Sequence, residues 1–197
     1  MIRLEKVRNG HSVKHKVMLT LAPLVYGMKP PDILRVFFYR PEFFGRPFGH
    51  LEQDLLRHES EWSVGERELF AAYTSVKNRC RFCLEAHGAV ASHALGHGAV
   101  KAIMDGVSTD QISPKAQAVL PFLEKLTLRP DDVSKDDIDR LRAAGLSEEA
   151  ILDAAYVAAL FCMTNRIVDA LGCDPLSPKQ LAKSAKMLLE QGYGGGR

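Results

Sequence analysis

The chain has 197 residues, a formal net charge of +2 and 46% hydrophobic residues, enough for one domain with a sizeable core. Lys and Arg are spread evenly with no basic stripe, which argues against a nucleic-acid surface. Four cysteines are too few for a disulfide scaffold, and with only two at motif spacing they fit one redox pair in a reducing compartment.

Met1 to Lys16 carries charges and histidines throughout and has no apolar segment of the kind a signal peptide needs. The apolar run from Val17 to Met28 contains Pro23 and is too short to span a bilayer. A soluble cytoplasmic protein without membrane contact is the expectation. Residues 12 to 28 read as a first helix stopped by Lys29-Pro30-Pro31. Two short elements follow, 32 to 40 and a Phe43-Phe44 turn, cut by Pro41 and Pro47. The aromatic residues crowded between Phe37 and Phe48 are expected to pack on the core or on a neighbouring subunit rather than to line a substrate pocket.

From His50 to Arg57 the pattern is helical again. Ser63-x-x-Glu66 is a capping box opening the next helix, along which Leu69, Tyr73 and Val76 form a core stripe. Glu68 lies one residue off that stripe. Cys80-Arg-Phe-Cys83 is the only Cys-x-x-Cys in the chain. With a helix beginning at about Cys80, the side chains of Cys80, Cys83 and His87 stack on one face at steps of three and four. Cys80 then occupies the first turn, where unpaired N–H groups and the helix dipole favour a thiolate. Arg79 and Arg81 push the same way. His87 can relay a proton on that face, and so can Glu68 if the two helices fold back on each other.

Gly96 and Gly98 mark a break before a short helix to Asp105. A helix from Pro114 to about Leu128 follows, then one from Ser134 to Ala144 closed by Gly145. The longest helix follows Ser147 and runs to Leu171. It has no charge between Asp153 and Arg166, so it is predicted to be buried all round, with alanines suited to close packing or a subunit interface. A last amphipathic helix ends near Leu189, and Gly192 to Arg197 reads as a flexible tail. No alternating strand pattern or hairpin signal is present, so the fold is expected to be all-α.

The pattern Glu68, Cys80, Cys83, His87, within Asn78-Arg-Cys-Arg-Phe-Cys-Leu-Glu-Ala-His87, resembles the AhpD-like alkylhydroperoxidase branch of the carboxymuconolactone decarboxylase family. The run from Leu141 to Asp153, with that from Thr164 to Gly172, resembles the tail of its peroxidase-related members. The likeness is strong over residues 62 to 110, fair over 134 to 173, and absent before about residue 40. It implies one compact multi-helix AhpD-like domain over 1–197, with the Cys-x-x-Cys at a helix N-terminus. An N-terminal helical extension would cover about 1–60, the redox core about 62–110 and the C-terminal helices about 114–190.

The same resemblance implies that Cys83 is the peroxidatic thiol, Cys80 the resolving one, and Glu68 with His87 the proton relay. It further implies a hydroperoxide substrate, an external lipoyl- or thioredoxin-like dithiol reductant, no metal, haem or flavin, and a homo-oligomer, trimeric or hexameric. Better-studied members carry a histidine between the cysteines, where this chain has Arg81 and Phe82. Three alternatives stand beside this reading. One is a lyase or isomerase acting on a lactone or small organic acid, against which the cysteine pair argues. Another is a zinc site from Cys80, Cys83, His87 and one of His93 or His97, although His93 falls on the far side of the helix from Cys80. The third is a non-catalytic helical scaffold. Cys162 and Cys173 lack motif partners, and Cys162 is expected to pack as core.

Overall fold

The computed structural model describes residues 2–193. These form eleven α-helices, with no strand among the described residues. The N-terminal part consists of α1 (Glu5–Asn9), α2 (Val13–Tyr26), α3 (Asp32–Tyr39), a π-helical turn (Pro41–Gly45) and α4 (Arg46–Arg57). Then come α5 (Val64–Lys77), α6 (Arg81–Leu95), α7 (His97–Met104), α8 (Pro114–Leu128), α9 (Lys135–Ala143), α10 (Glu148–Leu171) and α11 (Pro178–Gln191). The short α1 had no clear signal in the sequence. Helix α2 ends where Gly27 turns left-handed at φ 60°, and α4 starts before His50 because Pro47 sits in its first turn, where no N–H donor is required. Four serines, 63, 113, 147 and 177, cap α5, α8, α10 and α11.

Helix α5 is the centre of the domain. Every residue from Gly65 to Ser75 is buried, against α6, α8 and α10. Helix α6 runs back along it: Gly88 faces Ala72, and at the far end a Cβ on Gly65 would meet Leu95 Cγ at 2.7 Å and Ala94 Cβ at 2.9 Å. The absence of a side chain at Gly65 therefore permits the close approach that brings Glu68 level with His87. Helix α11 also packs on α6.

Helix α10 is not buried all round. Ala154, Ala158 and Phe161 enter the core, but Leu152, Tyr156 and Met163 are 48%, 49% and 40% exposed. A helix flanked by neighbours on only part of its circumference leaves such a stripe uncovered. By length and composition alone α10 would cross a membrane, yet half of its most apolar window is buried inside the domain. The N-terminal segment is part of the packing around the cysteines: Ile2, Val7, Val36, Phe82 and Val168 enclose Cys80, Cys83 and Cys173 in a second apolar cluster. The Arg3 N–H donates to the Leu171 carbonyl at 2.8 Å, tying the chain start to the end of α10.

Candidate active site

The turn between α5 and α6 positions the thiols. Asn78 caps α5 and Arg79 follows at φ 60°. The Arg79 N–H donates to Val76 O at 3.0 Å and the Cys80 N–H to Ser75 O at 2.9 Å. These two bonds make a Schellman ending with arginine in the left-handed position that usually takes glycine. The chain leaves that turn extended at Cys80, and α6 begins only at Arg81. Cys80 is thus the N-cap of α6 rather than a residue of its first turn, and Cys83 is the third residue of the helix. Both are buried free thiols.

The neighbouring Cys83, through its thiol first and then its backbone N–H, holds Cys80 below the ordinary thiol range despite burial and Asp169. Cys83 is pushed far up by the same contact, by burial and by the charge on Cys80. Of the two thiols, Cys80 is therefore the one that ionises first. The arginines do not enter as expected from the sequence: Arg81 is 75% exposed and pairs with Glu85 at 2.6 Å, and neither Arg79 nor Arg81 ranks among the groups that move Cys80.

One helical turn beyond Cys83, His87 meets Glu68. Its Nδ1 lies 2.8 Å from Glu68 Oε2, and both residues are buried. Arg57, at the end of α4, donates from Nη2 to Glu68 Oε1 at 2.6 Å. Burial alone would raise Glu68, but the hydrogen bond and charge of His87, with Arg57, hold its carboxyl below the usual range. An ionised Glu68 can only accept, so Nδ1 carries the hydrogen that joins them, and Nε2 is the nitrogen left to exchange a proton. The His87 ring is fixed edge-on to Phe161, with centroids 4.4 Å apart.

Four further residues belong to the site. Tyr193, past the end of α11, brings its hydroxyl to 2.9 Å from Glu68 Oε1 and 3.1 Å from His87 Nδ1. The tail is therefore docked at Tyr193, whereas residues 194–197 lie outside the described residues. Asn165 of α10 is buried, donates to Ser75 Oγ at 3.0 Å and accepts from Asn78 Nδ2 at 2.9 Å. It also acts to lower the Cys83 thiol, against the larger effects of Cys80 and burial. Glu52 of α4 is buried; burial first, and then the negative charge of Glu68, push it up to about 8. No hydrogen bond to its carboxyl is found among the described residues. Two carboxyl groups near one another are thus held in opposite protonation states at neutral pH. Arg57 is the fourth.

The sequence signal for Arg57 and Glu52 was only that of a helix, for Tyr193 only that of a tail. Asn165 was missed too, although an asparagine interrupting an apolar helix is a signal that could have found it. Among the described residues no group of three or more His, Cys, Asp and Glu gathers as a metal site. His93 and His97 are exposed and stand apart from the thiols. Cys162 is only partly buried and accepts from Asn78 Nδ2 at 3.5 Å. Cys173 is pushed up to about 12, by burial first and then by Asp32.

No protein-family model matches the sequence, and no curated protein sequence matches it. Solved structures do match. An uncharacterized peroxidase-related protein from Silicibacter sp. TM1040 aligns over 99% of this chain and 95% of its own, with TM-score 0.75 and 24% identity. An alkylhydroperoxidase AhpD core protein from Ralstonia eutropha JMP134, also an uncharacterized peroxidase-related protein, aligns over 90% and 92%, with TM-score 0.70 and 24% identity. The debrominase Bmp8 aligns over 88% and 92%, with TM-score 0.65 and 19% identity. Its complex with 2,3,4-tribromopyrrole, in a cysteine-to-alanine variant, aligns over 90% of both chains at TM-score 0.64 and 18% identity. From its first helix to its last, the chain has the all-α fold of the AhpD-like, peroxidase-related proteins.

Proposed function

We propose that the protein is a thiol-dependent hydroperoxide reductase, AhpD-like in function as well as in fold, with the Cys80–Cys83 pair as its redox centre. The observation that carries this reading is the buried thiol pair opening α6, in which one sulfur is stabilised as a thiolate by the other cysteine, one turn from the Glu68–His87 pair.

In this reading the charge passes from Cys80 to Cys83 as the shared proton moves the other way. The Cys83 sulfur, which feels Glu52, attacks the peroxide. An S–O bond forms, the O–O bond breaks, and the alkoxide leaves with the electron pair and takes the proton of the neutral Glu52 carboxyl. The Cys80 sulfur then displaces the hydroxyl of the Cys83 sulfenic acid. The Cys80 proton, carried by His87 in the orientation that Glu68 imposes, leaves with that hydroxyl as water. An external dithiol of lipoyl or thioredoxin type reduces the resulting disulfide by exchange. The exposed stripe of Leu152, Tyr156 and Met163 is read as a contact of a homo-oligomer, and the free thiols suit a cytoplasmic setting.

The test is a thiol count on reduced protein before and after one equivalent of an organic hydroperoxide, repeated in Cys80→Ser and Cys83→Ser. A rapid loss of two thiols that requires both residues supports the reading. No loss, with both thiols open to a general thiol reagent after unfolding, sinks it. The likeness to Bmp8 motivates a second reading, in which the dithiol reduces an aryl bromide: C–Br is exchanged for C–H, bromide leaves and the pair becomes a disulfide. Bromide release from 2,3,4-tribromopyrrole by the reduced protein tests that activity.

A further inference from the structure

Tyr193 enters the site as a ligand would. Its hydroxyl reaches both Glu68 oxygens, at 2.9 and 3.1 Å. The Arg57 guanidinium lies 4.9 Å from its ring centroid. The His87 imidazole lies nearly parallel to the ring, at 20° and 6.0 Å between centroids. Burial, then the charges of Glu68 and Glu52, push the phenol well above its ordinary range, so it remains a donor. Glu68 and His87 are themselves buried at 0% and 7% exposure, so the polar tip of the ring meets a built, desolvated cradle.

The tether is as particular as the cradle. Gly192, directly after α11, takes φ 69°, and a Cβ there would come within 2.2 Å of Gln53 Oε1. That same oxygen accepts the Tyr193 N–H at 2.7 Å. Only glycine fits this turn, at a φ and ψ that other residues rarely adopt. The contacts of the ring and hydroxyl are made by side-chain atoms alone, so a free phenol can reproduce them.

We infer that Arg57, Glu68 and His87 form a binding subsite for the hydroxyl and ring of a phenol-class ligand, and that Tyr193 occupies it as a tethered stand-in which such a ligand displaces. The inference goes beyond peroxide chemistry, because it concerns binding alone. A side chain tethered through one glycine competes at an effective concentration in the millimolar range, so its removal raises the apparent affinity for a free phenol.

The probe is p-cresol, the tyrosine side chain without its backbone, titrated calorimetrically without peroxide into the whole chain, into a chain ending at Gly192, and into Tyr193→Phe. The shortened chain, shown folded by circular dichroism, is expected to bind one p-cresol about tenfold more tightly than the whole chain, with Tyr193→Phe between them. Toluene is expected not to bind. Equal p-cresol binding by the folded shortened chain and the whole chain overturns the inference, and so does toluene binding as tightly as p-cresol, which would mark an apolar hole. If the shortened chain does not fold, Tyr193→Phe decides: no gain in p-cresol affinity overturns it. Peroxide turnover measured on the same samples keeps the readings apart, since p-cresol binding without turnover removes only the peroxidase.

Discussion

Arg57 holds Glu68 across a 2.6 Å contact, with 9% of the arginine side chain and none of the carboxylate exposed. Removing one partner of a buried pair leaves the other as an uncompensated buried charge, which outweighs the modest net worth of the intact pair. Arg57→Met, close in volume but uncharged, is expected to lose about 3–5 kcal/mol in urea unfolding at neutral pH. Glu68 is lowered in the folded state, so the stability it contributes is present above its unfolded value and is lost as pH falls through the folded one. The penalty of Arg57→Met should therefore shrink in acid; a penalty independent of pH would point to lost packing instead.

Glu52 has the opposite sign. Its folded value of about 8 stands above the ordinary 4.5, so the folded chain holds a proton that the unfolded chain has released between those pH values. Its contribution is complete below the unfolded value and is lost as pH rises through the folded one. Glu52→Gln removes that linkage. The variant should match the wild type near pH 4 and be more stable at pH 9 by several kcal/mol, since each pH unit separating the folded and unfolded values is worth on the order of 1.4 kcal/mol. In the proposed reaction it should also lose the proton donor for the leaving alkoxide, slowing peroxide turnover roughly 10²-fold or more. A variant that is stabilised and still fully active would remove Glu52 from the chemistry while leaving the pH effect intact.

Arg79 stands at φ 60°, where a Cβ costs roughly 1–2 kcal/mol. Glycine relieves that but adds about 0.5–1 kcal/mol of unfolded-state entropy. The first effect is the larger, so Arg79→Gly is expected to stabilise the protein by about 0.5–1 kcal/mol in denaturant unfolding. The charge of Arg79 is not among the groups that move Cys80, so peroxide turnover should not change. A drop in turnover with a gain in stability would mean that the guanidinium takes part in the reaction.

Most helices were legible because their signals are local. Ser63 and Glu66 announce α5 from three residues apart, and Gly145 at φ 84° closes α9 where a glycine was expected. Glu68 and His87 could be foreseen as partners only on the condition that α5 and α6 fold back together, and Gly65 is what permits that approach. Arg79 hid the turn: a left-handed residue is announced by glycine or asparagine, and without it the start of α6 was placed one residue early. Arg57, Glu52 and Tyr193 join the site from α4 and from beyond α11, so their role is purely tertiary. A tyrosine followed by three glycines and an arginine carries the composition of a tail, and only the burial of its hydroxyl partner reveals a use for it.

The cysteine pair allows a prediction that separates resting charge from reactivity. Each sulfur's shift has the other sulfur as its first cause, so each single variant should move the surviving thiol in a defined direction. In Cys83→Ala, Cys80 loses its thiol donor and should rise toward the ordinary range. In Cys80→Ser, Cys83 loses the adjacent charge and should fall, though burial keeps it above the ordinary range. Thiolate ultraviolet absorbance against pH reads both changes. Attack by Cys83 then predicts that Cys80→Ser, treated with a hydroperoxide, accumulates a sulfenic acid at Cys83 that a dimedone-type reagent traps, and that over-oxidises with time. Cys83→Ser should form none at a comparable rate, although its remaining thiol is the one held lower in the intact pair. If Cys83→Ser instead gives a sulfenic acid at Cys80 as fast as the wild type loses its thiols, the nucleophile is Cys80. The sulfur that ionises first would then also deliver the attack.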